Sequence, residues 1–141
     1  MTKRIPIFLV LFSVSIALAG DGARPATGTF IRDWQISGPF NAANVVDPVV
    51  TNEDVLAPSM QRDVKGKEWK VLKSKTDIVD FEGSDAFGPA DRSVGFAFAE
   101  IDSAKEGDIV LGLGSDDSAM AWWNGRLVLV QDVLRGTTAG E

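Results

Sequence analysis

The chain has 141 residues, a formal net charge of −6 and no His, Cys or Tyr, a length that suits one domain. The missing imidazoles and thiols exclude Ser-His-Asp and Cys-His nucleophile systems, imidazole or thiolate metal sites, disulfides and haem ligation by the usual residues. The acidic balance argues against nucleic acid or an anionic membrane surface as partner, and the remaining carboxylates, amides, hydroxyls, Arg, Lys and indoles suit oxygen-ligand ions such as Ca²⁺, or sugars.

Lys3 and Arg4 begin the chain with positive charge, Ile7 to Ala17 is apolar, and Ala17-Leu18-Ala19 supplies a small-x-small pattern. This is the layout of a secretory signal peptide cut before Gly20. As a helix the run falls short of the roughly 20 residues needed to span a bilayer. Residues 1–19 are therefore read as a signal peptide, 20–28 as a flexible leader and 29–141 as an exported domain. Losing Lys3 and Arg4 takes the formal charge from −6 to −8.

In "TFIRDWQISGPF" (29–40), Phe30, Arg32, Trp34 and Ile36 alternate with Ile31, Asp33 and Gln35. Period 2 predicts a strand, ended by Ser37-Gly38-Pro39. Asn41 to Met60 has no period and holds Pro48 and Pro58, so it reads as a long surface loop with room for a short strand at Val49–Thr51. "GKEWKVLKSK" (66–75) sets Trp69 and Val71 against charged neighbours, a strand with one wet face. "DIVDFEGSDAFGPADR" (77–92) is irregular, with Phe81 and Phe87 as anchors onto the core. "SVGFAFAEID" (93–102) puts Val94, Phe96 and Phe98 on one face and small residues on the other. After the turn "SAKEGD" come the strand "IVLGLGS" (109–115), the tight connection "DDS", the strand "AMAWW" (119–123), the turn Asn124-Gly125 and the returning strand "RLVLVQDV" (126–133). Asn-Gly between apolar runs predicts a two-residue type I′ hairpin, whose central residues both need positive φ. No segment carries a 3.6-residue stripe, so the expectation is an all-β antiparallel sandwich. About six strands can be counted, fewer than the eight of a jelly roll, and this predicts a domain incomplete at its C-terminus.

The run "LGLGSDDSAMAWWNGRLVLVQD" (111–132) resembles a pattern of galactose-binding-like jelly rolls and PA14-like sandwiches, in which Ser-Asp-Asp precedes Trp-Leu-Asn-Gly. "DWQISGPF" (33–40) is similar to the Trp-x-x-x-Gly-Pro-Phe opening of exported bacterial examples. Ser118 stands where many members have Gly, Trp123 stands where Leu is usual, and no second acidic ligand loop can be identified. The resemblance implies a non-catalytic module that accompanies secreted enzymes and, in many members, binds carbohydrate. In sugar-binding PA14-type members two consecutive Asp residues hold a Ca²⁺ that ligates sugar hydroxyls, and Asp116 and Asp117 occupy that place.

Two readings of Asp116 and Asp117 stay open. They supply carboxylates to Ca²⁺, which needs six to eight oxygens, or they accept backbone N–H groups in a tight turn. Trp122 and Trp123 point to opposite faces of a strand. With Trp123 toward the core, Trp122 is a platform for a sugar ring or lies under a covering segment. Asn124 is accounted for by its turn, and with Arg126 and Trp122 it completes the candidate ligand set. Glu53, Asp54, Asp63, Glu68, Asp80, Glu82 and Asp85 are carboxylates whose juxtaposition as a glycosidase pair cannot be read from sequence. The sequence reading is thus a carbohydrate-binding or accessory domain of a secreted or cell-surface protein. Its alternatives are a structural, protein-contacting sandwich, or the N-terminal part of a secreted hydrolase whose downstream domains act.

Overall fold

The structure is a computed structural model that describes residues 3–11, 13–20, 31–42, 46–75, 78–103, 109–114 and 118–132. Strands β1 (Lys3–Leu11), β2 (Ser13–Gly20), β3 (Asp33–Asn41), β4 (Asp63–Val64), β5 (Lys67–Glu68), β6 (Lys70–Lys73), β7 (Val79–Asp80), β8 (Ser93–Ser103), β9 (Ile109–Gly114), β10 (Ala119–Trp123) and β11 (Arg126–Gln131) follow one another, with one short 3₁₀ turn at Glu53–Val55. Every strand pairing is antiparallel. The larger sheet runs β11-β10-β1-β8-β3-β6, a smaller one runs β7-β2-β9, and β4 pairs β5. The chain is all-β, as its alternation predicts.

β8 shows why the fold forms here. Its alternation of Phe with Ala or Gly gives two apolar faces, and Val94 to Ala99 are buried throughout. On one face Ala97 and Ala99 join Trp34, Ile36, Leu72, Ala119 and Ala121, with Val79 of β7 and Phe81 packed against them. The small alanines leave room for the second layer that β7 brings. On the other face Val94, Phe96 and Phe98 join Phe40 and Trp122 under Val49, Leu56 and Val64. The connection between β3 and β4 is thus a lid on the core. It contains a 3₁₀ turn, with no strand at Val49–Thr51.

Three local expectations change. Ser37-Gly38-Pro39 does not end β3. The strand passes through an irregularity between Ser37 and Phe40, with a cis Gly38–Pro39 bond, and delivers Phe40 to the second face. Gly38 has φ +148°, and a Cβ there would lie 3.2 Å from the Gly95 backbone, so glycine is needed for both conformation and approach. Second, Trp69 and Val71 are not the buried face of their strand. Leu72 is, opposite Trp34, while Val71 is 70 % exposed at the sheet edge. Trp69 is half-buried on the second face, edge-on to Phe98, and donates from Nε1 to the Gln61 carbonyl at 3.0 Å. Third, the connection read as irregular contains the short strand β7, although Phe81 and Phe87 anchor it as expected, with ring centroids 5.1 Å apart.

Residues 3–20, except residue 12, lie in the sheets: β1 lies between β8 and β10, and β2 lies between β7 and β9. Residues 21–30, which include all but the first residue of the expected 20–28 leader, lie outside the described residues.

Candidate functional site

The β10–β11 hairpin carries most of the sequence-predicted site. Asn124 (φ 51°) and Gly125 (φ 76°) have the two left-handed residues of a type I′ turn, and the closing pair is Trp123 with Arg126. Asn124 and Arg126 are exposed at this tip. The lid reaches the same tip: a Cβ on Gly125 would stand 3.2 Å from the Asp54 carbonyl oxygen.

Trp122 does not join Asn124 and Arg126 on the surface. It is 5 % exposed and belongs to the cluster with Phe96, Phe98 and Leu56. A stacking platform needs an open ring face, and here the lid and neighbouring strands cover it. Trp123, expected in the core, is the half-buried member of the pair. The alternation itself is as the sequence predicts, since Ala119 and Ala121 share one cluster and Met120 packs with Trp122 against the other. Burial of Trp122 follows from the apolar lid, whose Val49 and Leu56 were hidden in a stretch without periodicity.

Asp116 and Asp117 lie outside the described residues. Among the described residues no group of three or more acidic side chains is placed to hold a metal ion. Ser118, next to the pair, is buried and its hydroxyl donates to the Asp132 carboxylate at 3.2 Å. This contact links the start of β10 to the end of β11.

Five of the seven other carboxylates, Glu53, Asp63, Glu68, Asp80 and Asp85, have local structural partners. Asp63 accepts from the Gly66 N–H at 2.8 Å, and Asp80 accepts from the N–H groups of Glu82 and Gly83 at 3.0 and 3.1 Å. Both contacts organise tight turns. Glu68 pairs with Arg62 and Asp85 with Lys75 on the surface. Glu53 differs. Its Oε1 accepts from the Val49 N–H at 2.6 Å and from that of Val50 at 3.4 Å, fixing the lid from inside. Burial pushes its carboxyl above the ordinary 4.5, and those two hydrogen bonds and the charge of Lys65 pull the other way without cancelling it.

A depression lined by Pro39, Phe81, Glu82, Phe87, Ala90 and Ser93 among others encloses only about 20 Å³. That is far short of the roughly 300–1,000 Å³ of a small-molecule pocket.

A further surface feature escaped the sequence reading. Leu127, Val128 and Val130 of β11 are 45, 50 and 50 % exposed at the edge of the larger sheet. The residue that doubles them up is Val128: Ala121 pairs Leu129 and Trp122 pairs Leu127, so Val128 is the extra residue of a bulge. The uncharged run Leu127–Val130 was the available signal. No known protein family, no curated protein and no solved structure matches this chain.

Proposed function

We propose that this chain is a non-catalytic accessory β-sandwich of an exported protein, built on the galactose-binding-like or PA14-like plan, and that it works by contact with another polypeptide. The observation that carries this reading is the contrast between the two edges of the larger sheet. β6 exposes one apolar residue at its edge, Val71, and keeps it between Lys70 and Lys73, the charges that natural sheets use to deter pairing. β11 instead presents Leu127, Val128 and Val130. An apolar, half-exposed edge suits a partner better than it suits water. The test is a photo-reactive amino acid at position 128 in exporting cells. A protein adduct of defined mass is expected, and irradiation without any protein adduct overturns the reading.

A second reading is favoured by the exposure of Asn124 and Arg126 together at the hairpin tip. In it the domain binds carbohydrate, with sugar hydroxyls met by Asn124 and Arg126 at the tip and Ca²⁺ held by Asp116 and Asp117, which precede the other end of β10 in sequence. Its test is retention on a glycan array, together with a Ca²⁺-dependent rise in melting temperature that Asp116→Ala and Asp117→Ala abolish. Neither effect is expected if protein contact is the whole function.

A further inference from the structure

The gap between β8 and β10 is bordered by some of the driest positions in the molecule. Along β8, Phe96, Ala97, Phe98 and Ala99 are 0–4 % exposed, and along β10 Ala121 and Trp122 are 0 and 5 % exposed. One strand fills this gap. β1 is antiparallel to both neighbours, with nine rungs to β8 from Lys3 opposite Ser103 to Leu11 opposite Gly95. It makes four rungs to β10, from Ile7 opposite Trp123 to Val10 opposite Met120. Among the described pairings, β1 alone ties the β10–β11 hairpin to the rest of its sheet.

The strand in that gap is also the segment with the layout of a removable leader. A cut before Gly20 takes away β1 and nearly all of β2. Two backbone edges, one on β8 and one on β10, then lose their partner at once. A gap with an edge on each side rewards an inserted strand with two hydrogen-bond ladders, where a sheet edge offers one.

We propose that the gap between β8 and β10 is a strand-acceptor groove, filled by the leader before processing and afterwards by an extended apolar segment of another polypeptide. The proposal rests on the export reading above. The groove specifies its guest. The rung at Ala97 and Ala121 sets a small residue on either side of the position that Leu9 now holds, which suits a bulky aliphatic residue. The rung at Phe98 and Trp122 is the level of Phe8. The far end of β8 carries Glu100 and Asp102, opposite Pro6 and Arg4, so a basic N-terminal end matches it. The guest is a segment of about nine residues, basic at its start and then apolar, running antiparallel to β8.

The experiment uses the full chain with a specific protease site inserted among residues 21–29. The folded protein is cut and unfolded in guanidinium, and the leader fragment is removed by size. It is then refolded with or without a labelled peptide of sequence KRIPIFLVL. Recovery of a cooperative melt only with peptide, bound one to one, is expected. The same peptide with Leu9→Asp is expected to fail, because it places a charge at the Ala97–Ala121 rung. Recovery as a monomer without peptide overturns the proposal. So does no recovery with peptide, and so does recovery only as a strand-exchanged dimer of doubled mass. The mass of the naturally exported product is a separate readout. A retained Met1–Ala19 there refutes removal of the leader, while the groove result stands or falls on the refolding.

Discussion

Gly95 is the place where one added methyl group should be felt most. It lies on β8, inside the larger sheet, and an ideal Cβ there would sit 2.7 Å from Phe87 Cε2 and 3.0 Å from two ring carbons of Phe81. Real Cβ atoms do not approach so closely, so either the rings or β8 must move. The Phe81–Phe87 pair is itself packed at 5.1 Å between centroids, and Phe81 is 5 % exposed, which leaves that ring little freedom to turn away. Overpacking of a dense core costs about 1–3 kcal/mol. For a chain of this length that lowers the melting temperature by roughly 4–12 °C. Thermal melts of Gly95→Ala followed by circular dichroism measure the shift. Phe87→Leu supplies the control, because removing the ring edge that meets the new Cβ relieves the clash. The double variant should therefore lose less than the sum of the two single variants, by about 1 kcal/mol or more. A Gly95→Ala protein that melts within about 1 °C of the parent, or strict additivity in the cycle, would refute the packing argument.

Glu53 should give the lid a pH dependence. Its folded carboxyl is held above the ordinary value chiefly by burial, so the folded state binds the proton more tightly than the unfolded state. The associated stability is complete below the unfolded pKa and is lost as pH rises through the folded one. Glu53→Gln, whose amide oxygen can still accept from Val49 and Val50, should flatten the stability profile above pH 4.5, as denaturant melts across pH would show. Trp122→Ala should cost about 3–5 kcal/mol by emptying a buried site, and the loss of a blue-shifted emission component would confirm that this ring is shielded. Asn124→Gly should change stability by only a few tenths of a kcal/mol, whereas Asn124→Val should cost about 1–2 kcal/mol because a β-branched residue resists φ 51°. Equal melts for these two variants would contradict the turn assignment.

The parts of the fold legible in the sequence are those where one residue type dictates one conformation or one face. Asn124-Gly125 is such a case, and so is the Phe-small alternation of β8, which reads correctly because both of its faces are buried. Period 2 shows only that faces differ, without saying which is wet. That is why Trp69 and Val71 suggested a buried face that Leu72 in fact supplies. Lying at the sheet edge, Val71 shares a face with Trp69 but has no covering layer. Segments without periodicity were opaque for another reason. Val49 and Leu56 are core residues held by loop geometry and by Glu53, and no repeat announces them. The candidate site inherits this gap: Trp122 could be assigned to a face from its spacing, but whether that face was covered depended on the lid.

The ladder between β1 and β8 has a consequence in time. Its outermost rung joins Lys3 to Ser103, so β1 has no partner until about a hundred residues have been made. At roughly 5–20 residues per second, residues 3–11 wait several seconds in the growing chain with their final neighbour not yet synthesised. Contacts of such long sequence separation also close slowly once both halves exist. For that interval Lys3–Leu11 is an apolar segment without its sheet partners. Order of synthesis therefore gives any receptor that reads such segments first access to it and the sheet only second.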